Sequence, residues 1–258
     1  MTQLQNAQNN IITPLVKMLA RKEGMQAALM NRRLKEGRIV IPLNILRRTI
    51  HSPCAIGPGT RTKINANLGT STDARGLSAE LEKLKVAIAC GADTVMDLSV
   101  GGDLKKVRRA ILKESSVPVG TVPIYEVAVS AEAKNKDPLA FDRDSLFDIL
   151  EEQAAEGVDF FTIHAGVTRK SVSCLRAHKR LLGIVSRGGA ILAAWMKKTG
   201  RENPFFEYFD RVLEICARYD VTVSLGDGLR PGSIFDSTDP AQIAELKILG
   251  RLAQRARS

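Results

Sequence analysis

The run TKINANL at 62–68, followed by SAELEKLKVAIAC at 78–90 and then Gly91, decides the fold class. The first segment is short and carries the apolar residues of a strand. The second has apolar residues at helical spacing and stops at a glycine. Ser78 reads as the cap of that helix, with Glu80 and Glu82 suited to its positive end. A strand followed directly by an amphipathic helix is the repeating unit of a parallel sheet covered by helices.

The same alternation continues toward the C-terminus. ADTVMDLS at 92–99 reads as a strand, and Asp103 then caps LKKVRRAILKE. VPVGTVPIY at 117–125 reads as the third strand, with Pro118 opening it. Asp144 begins the helix SLFDILEEQAAEG, closed by Gly157. VDFFTIHAG at 158–166 is the fourth strand, followed by a helical stretch around 169–180. LLGIVSRGG at 181–189 reads as a fifth strand and turn, and the helical region from AAWMKKTG to PFFEYFDRVLEICARY follows. VTVSLGDGLRPG at 221–232 is the last strand. The final helix, DPAQIAELKILGRLAQRA, has Asp239 as cap and Pro240 at its first position. This makes about six strand–helix units. A (β/α)8 barrel needs eight units in about 250 residues. A doubly wound open sheet is satisfied with five or six, so counting alone leaves the two architectures level.

Before Lys63 the chain is an irregular lead-in with short helices. The stretch 14–36 has helical periodicity broken at Gly24, and an extended RIVIP follows. Arg32, Arg33, Lys35, Arg38, Arg47 and Arg48 concentrate positive charge there.

Composition narrows the class. The 258 residues are 44% hydrophobic and 26% charged, which excludes a disordered or collagen-like chain. The net charge of +10 invites an anionic ligand, but nucleic-acid binding has no motif here beyond charge. No apolar run approaches the length of a membrane span, and the N-terminus lacks the order of a signal peptide. Cys54, Cys90, Cys174 and Cys216 are far apart with no CxxC, so they read as reduced cytosolic thiols. Cys90 and Cys216 sit on apolar helical stretches and read as buried packing residues. His51 and His178 lie outside any strand-end motif and read as surface residues.

In either parallel architecture, ligands bind at the carboxyl ends of strands. Those ends carry polar residues throughout: Asn67, then Met96-Asp97, Tyr125, His164, Ser186-Arg187-Gly188-Gly189, and Asp227-Gly228-Leu229-Arg230. Polar groups at the same end of every strand point to one shared site. Ser186-Arg187-Gly188-Gly189 entering a helix offers a hydroxyl, a fixed cation and backbone amides, a combination that binds phosphate. Asp227 and Arg230 either clamp a ligand or pair with each other across their turn. His164 and Met96 each have a packing reading beside the ligand reading. The glycine-rich GxGxxG and P-loop patterns are absent, so dinucleotide and nucleoside triphosphate readings lose support.

Six strings now stand in order: TKINANLGTS, GADTVMDLSVGGD, VPVGTVPIYE, GVDFFTIHAGVTR, IVSRGGA and SLGDGLRPGS. Together they closely resemble the phosphomethylpyrimidine synthase family of radical S-adenosylmethionine enzymes. The match extends over nearly the whole chain, in a short form without the long extra N-terminal domain. The resemblance implies a (β/α)8 barrel, present here as a lead-in over 1–55 and a partial barrel of about six units over 56–258. It implies a cytoplasmic carbon–carbon lyase of thiamine biosynthesis, homo-oligomeric at full length. That enzyme converts 5-aminoimidazole ribotide to hydroxymethylpyrimidine phosphate, using S-adenosylmethionine, a [4Fe-4S] cluster and a divalent metal, zinc or iron. The implied substrate-binding residues are Asn67, Met96, Tyr125, His164, Ser186, Arg187, Gly188, Asp227, Gly228, Leu229 and Arg230.

The family's EGPGH motif, its second metal histidine and its CxxCxxxxC cluster motif are absent from these 258 residues. The expectation is therefore a chain truncated at its C-terminus and inactive alone. No catalytic or metal-binding residue is assigned, and a complementing C-terminal polypeptide is a possible partner. A benzimidazole-forming paralogue using the same ribotide, and a non-catalytic ligand-binding half of a split enzyme, are the alternatives.

Overall fold

The computed structural model describes residues 1–47, 49–74, 76–177 and 179–257. Arg48 and His178, read above as charge and as surface, lie outside the described residues. In chain order the elements begin with α1 (Gln3–Gln8), α2 (Pro14–Lys22) and α3 (Ala27–Lys35). There follow β1 (Asn65–Leu68), α4 (Leu77–Ala89), β2 (Thr94–Asp97), α5 (Leu104–Glu114), β3 (Val119–Thr121), α6 (Pro123–Asn135) and α7 (Arg143–Ala155). The rest are β4 (Phe160–Ile163), α8 (Arg169–Ala177), α9 (Arg187–Thr199), α10 (Pro204–Glu207), α11 (Phe209–Tyr219), β5 (Thr222–Leu225) and α12 (Pro240–Arg257).

The strands form one sheet in the order β1-β2-β3-β4-β5. Pairing from β1 to β4 is parallel, with Asn67 opposite Met96, Val95 opposite Val119, and Gly120 opposite Phe160. The Thr222 N–H donates to the Asp159 carbonyl, and the Gly226 N–H to the Ile163 carbonyl. The α/β class read from the alternation is therefore observed. Sequential order without reversal lacks the switch point of a doubly wound sheet.

The chain divides into two compact units. One comprises residues 1–121, 151–161 and 215–222; the other comprises 122–150, 162–214 and 223–258. In the first unit the lead-in has its own apolar cluster, built from Ala7, Val16, Leu19, Ala20, Met30, Leu34, Ile39, Ile41 and Ala55. Gly24 does break the helical stretch, at φ +63°. Asn44 ties the lead-in to the chain entering β4. Its side-chain N–H groups donate to the Ala154 and Val158 carbonyls, and its main-chain N–H to Asp159 Oδ1. Asp159 Oδ2 accepts the Val119 N–H at 2.8 Å and faces the buried Arg47 Nε at 3.8 Å. The second unit packs the Trp195 indole against Phe141 at 5.4 Å, and its Nε1 donates to the Phe141 carbonyl.

Several readings need correction. Among the described residues there are five strands, and LLGIVSRGG contains none of them. Gly183 there adopts φ +61°, and the Leu181 and Leu182 N–H groups donate to Asp236 instead of a neighbouring strand. VPVGTVPIY is a strand only at Val119–Thr121. Pro123 is the first residue of α6, where its fixed φ suits a helix start, so Tyr125 stands in a helical first turn. The helix α6 itself is absent from the sequence reading. Gly76, not Ser78, caps α4, without a side-chain bond. The helix α7 begins at Arg143, one residue before Asp144, and Asp142 caps it by accepting the Ser145 N–H. Asp103 and Asp239 cap as expected. Cys90 is exposed at the end of α4, whereas Cys216 is buried.

Candidate functional site

The second unit gathers the strand-end residues that follow β3, β4 and β5, with the start of α9. Ser186 is buried and caps α9, its Oγ accepting the Gly189 N–H at 3.2 Å. That cap turns Arg187, at the first helical position, away from the core and into solvent. The Arg187 guanidinium lies over the Tyr125 ring, 5.2 Å from its centroid. Burial raises the Tyr125 phenol above its ordinary value, against the opposing pull of Arg187 and Arg230.

Two glycines after Arg187 let the site close up. A Cβ at Gly188 would overlap the His164 imidazole, and one at Gly189 would overlap the Gly228 backbone. Gly226 likewise leaves room beside His164. His164 is 4% exposed, and its Nδ1 has no hydrogen-bond partner among the described residues. Burial pushes its pKa down to about 4; Arg230 adds to that and Asp227 opposes it. The ring is therefore a neutral imidazole near neutral pH. Its main-chain carbonyl is fixed by the buried Asn203, whose Nδ2 donates to His164 and Val167.

The loop after β5 alternates. Asp227 and Arg230 are exposed, while Gly228 and Leu229 are buried. The pairing reading of Asp227 and Arg230 is met here: the Arg230 Nη1 donates to the Asp227 carbonyl at 2.9 Å and stands 3.5 Å from its carboxylate. Both side chains remain open to solvent.

Tyr125, His164, Ser186, Arg187, Gly188 and residues 227–230 thus belong to one unit, linked by the contacts just described. Asn67 and Met96 belong to the other unit. There Asn67 is exposed on β1 and accepts from the Asn65 amide, and Met96 is partly buried opposite it.

Sequence reasoning missed Arg180, Asn203 and Glu245. All three hold main-chain groups of the site and are buried or largely so. Glu245 left a signal: it occupies the buried stripe of α12 with Ala241, Ile248, Leu249 and Leu252.

The described residues do not fit an iron–sulfur cluster. No three His, Cys, Asp or Glu side chains among them come together as a metal site. Burial pushes the Cys54 thiol up to about 11 and Cys216 to about 12, against the thiolate that iron requires.

Much of the basic charge is tied up elsewhere. Arg108 is buried on α5 and donates to Glu156 at 2.6 Å. Arg109 reaches the same carboxylate from the exposed side.

Residues 2–258 match the family described as the radical SAM ThiC family. Over 257 residues the chain is 50% identical to phosphomethylpyrimidine synthase of Dehalococcoides mccartyi, covering all of this chain and 59% of the relative. Phosphomethylpyrimidine synthase of Carboxydothermus hydrogenoformans is 50% identical over 258 residues, 60% of its length. That of Thermodesulfovibrio yellowstonii is 52% identical over 252 residues, covering 98% of this chain and 59% of the relative. The chain therefore spans about three-fifths of the length of these relatives.

Proposed function

The chain belongs to the radical SAM ThiC family, and from that premise we propose that it forms the ribotide-binding part of a phosphomethylpyrimidine synthase. The substrate proposed is 5-aminoimidazole ribotide. The observation that carries this reading is the Arg187 guanidinium held over Tyr125 at the start of α9, beside His164 and the 227–230 loop. A fixed cation at a helix N-terminus suits the phosphate. The neutral His164 and the exposed Asp227 and Arg230 side chains suit the polar edge of an imidazole and the ribose hydroxyls. Asn67 and Met96, in the first unit, are proposed as substrate-binding residues from the family resemblance.

The barrel reading is proposed with it, as a lead-in over 1–55 and barrel units over 56–258. The sequential strand order supports it. Among the described residues no helix is long and apolar enough to cross a membrane. The complete lyase reaction is proposed for the full-length protein. The family supplies S-adenosylmethionine chemistry, and the cluster and divalent metal are assigned to residues other than these.

Calorimetric titration with 5-aminoimidazole ribotide tests the reading. Saturable binding that weakens at least about ten-fold in Arg187→Ala is expected, as for loss of a charge-assisted phosphate contact. No binding by the unsubstituted chain, or unchanged affinity in the variant, overturns it.

A further inference from the structure

We propose that Glu245 and Arg180 are positioning residues that fix the main chain of the 227–230 loop in the shape that presents Asp227 and Arg230 to the ligand. The inference rests on the ribotide reading above and adds to it the device that shapes the loop. Glu245, on α12, is 1% exposed. Its Oε1 accepts the Gly228 N–H at 2.8 Å and its Oε2 accepts the Leu229 N–H at 2.7 Å. A carboxylate fork is thereby matched to two successive amides of one turn. From the other side, Arg180 Nη2 donates to the Leu229 carbonyl at 2.5 Å, and Nη1 reaches the Arg230 carbonyl at 3.4 Å.

The two grips share one support. Arg180 Nε and Nη2 both donate to Asp239 at 2.7 Å, and Asp239 caps the helix that carries Glu245. The Arg180 and Asp239 side chains are each 1% exposed. Ionic groups removed from water are costly and are satisfied only by good geometry. Here two of them, Glu245 and Arg180, converge on a short loop whose charged side chains, Asp227 and Arg230, stay in solvent. A loop needing only to reverse direction has no use for buried side chains gripping both its amides and its carbonyls. A ligand loop must hold its exposed side chains at fixed angles, and side-chain precision comes from a fixed backbone. Gly228 fits the same account, because a Cβ there would overlap Val167 and press on Glu245 Oε1.

The test uses the full chain with Glu245→Gln and Arg180→Lys. Glutamine keeps the volume of Glu245 but turns an NH2 group toward one of the two amides. Lysine keeps the charge of Arg180 but cannot fork between Asp239 and Leu229. Two readouts are taken: amide hydrogen exchange at Gly228 and Leu229, and calorimetric affinity for 5-aminoimidazole ribotide, with inorganic phosphate as a second probe. In both variants exchange should accelerate and ribotide affinity should fall, each by about ten-fold, while phosphate affinity stays within about two-fold. Unchanged exchange overturns the proposal, as does faster exchange with unchanged ribotide affinity. Equal loss for ribotide and phosphate also overturns it, since that marks a general structural role. If the unsubstituted chain binds neither probe, the ribotide reading itself fails. If it binds both and the variants match it, only the positioning role fails.

Discussion

The Arg187 guanidinium stands 5.2 Å from the centroid of the Tyr125 ring, joining the first turn of α9 to the first turn of α6. A cation over an aromatic ring at a site partly open to solvent contributes about 0.5–1 kcal/mol. Tyr125→Leu should therefore weaken ribotide binding by about two- to five-fold, and Tyr125→Phe, which keeps the ring, by less. Equal losses in the two variants would assign the contribution of Tyr125 to its hydroxyl instead. Calorimetry on the three proteins separates these.

His164 gives the chain an acid-sensitive element. Its folded pKa of about 4 lies below its ordinary value of 6.5, so the unfolded chain binds the proton more readily between them. The stability it contributes is complete above about pH 6.5 and is lost as pH falls toward about 4. Asp159 and Glu245, both pushed up to about 7 chiefly by burial, act oppositely: their contribution is present at low pH and lost as pH rises through about 7. In His164→Asn only the first effect disappears. The melting temperature of the variant relative to the unsubstituted chain should rise as pH is lowered from 7 to 5. A difference independent of pH would show that His164 titrates normally.

Asn44 carries the attachment of the lead-in. Replacing it with alanine leaves the Ala154 and Val158 carbonyls without their donor. Buried polar groups left unpaired cost about 1–3 kcal/mol each, so Asn44→Ala should lose about 2 kcal/mol or more in urea unfolding. Ribotide affinity should not change, since no residue of the proposed site bonds to Asn44.

Gly120 faces Phe160 across β3 and β4, and a Cβ would enter the phenyl ring. Gly120→Ala should destabilise the chain by about 1–3 kcal/mol, as overpacking does. Combining it with Phe160→Leu should recover part of the loss. Absence of recovery in a double-mutant cycle would place the strain elsewhere.

Periodicity and punctuation made much of this molecule readable from its residues. Gly24 interrupts the lead-in helices, and Asp103 and Asp239 open α5 and α12 where expected. The misreadings share a cause. LLGIV has the residue types of a strand, yet its amides go to Asp236, a partner some fifty residues away that no local pattern reveals. VPIY looked extended because its apolar residues continue those of β3, while Pro123 in fact starts a helix. The candidate site is legible where its members are side chains at strand ends, as at Arg187, His164 and Asp227. It was illegible where chemistry consists of holding backbone, as Asn203 and Arg180 do, because such residues look like ordinary polar surface until the fold buries them.

The contact of Gly189 with Gly228 leaves no room for a side chain on either partner. The arginine-bearing turn and the aspartate-bearing turn are thus spaced by bare backbone alone. Neither can be remodelled without displacing the other. An engineer wishing to enlarge the ligand space must move both turns together, and a lineage drifting at one of them is held in check by the other.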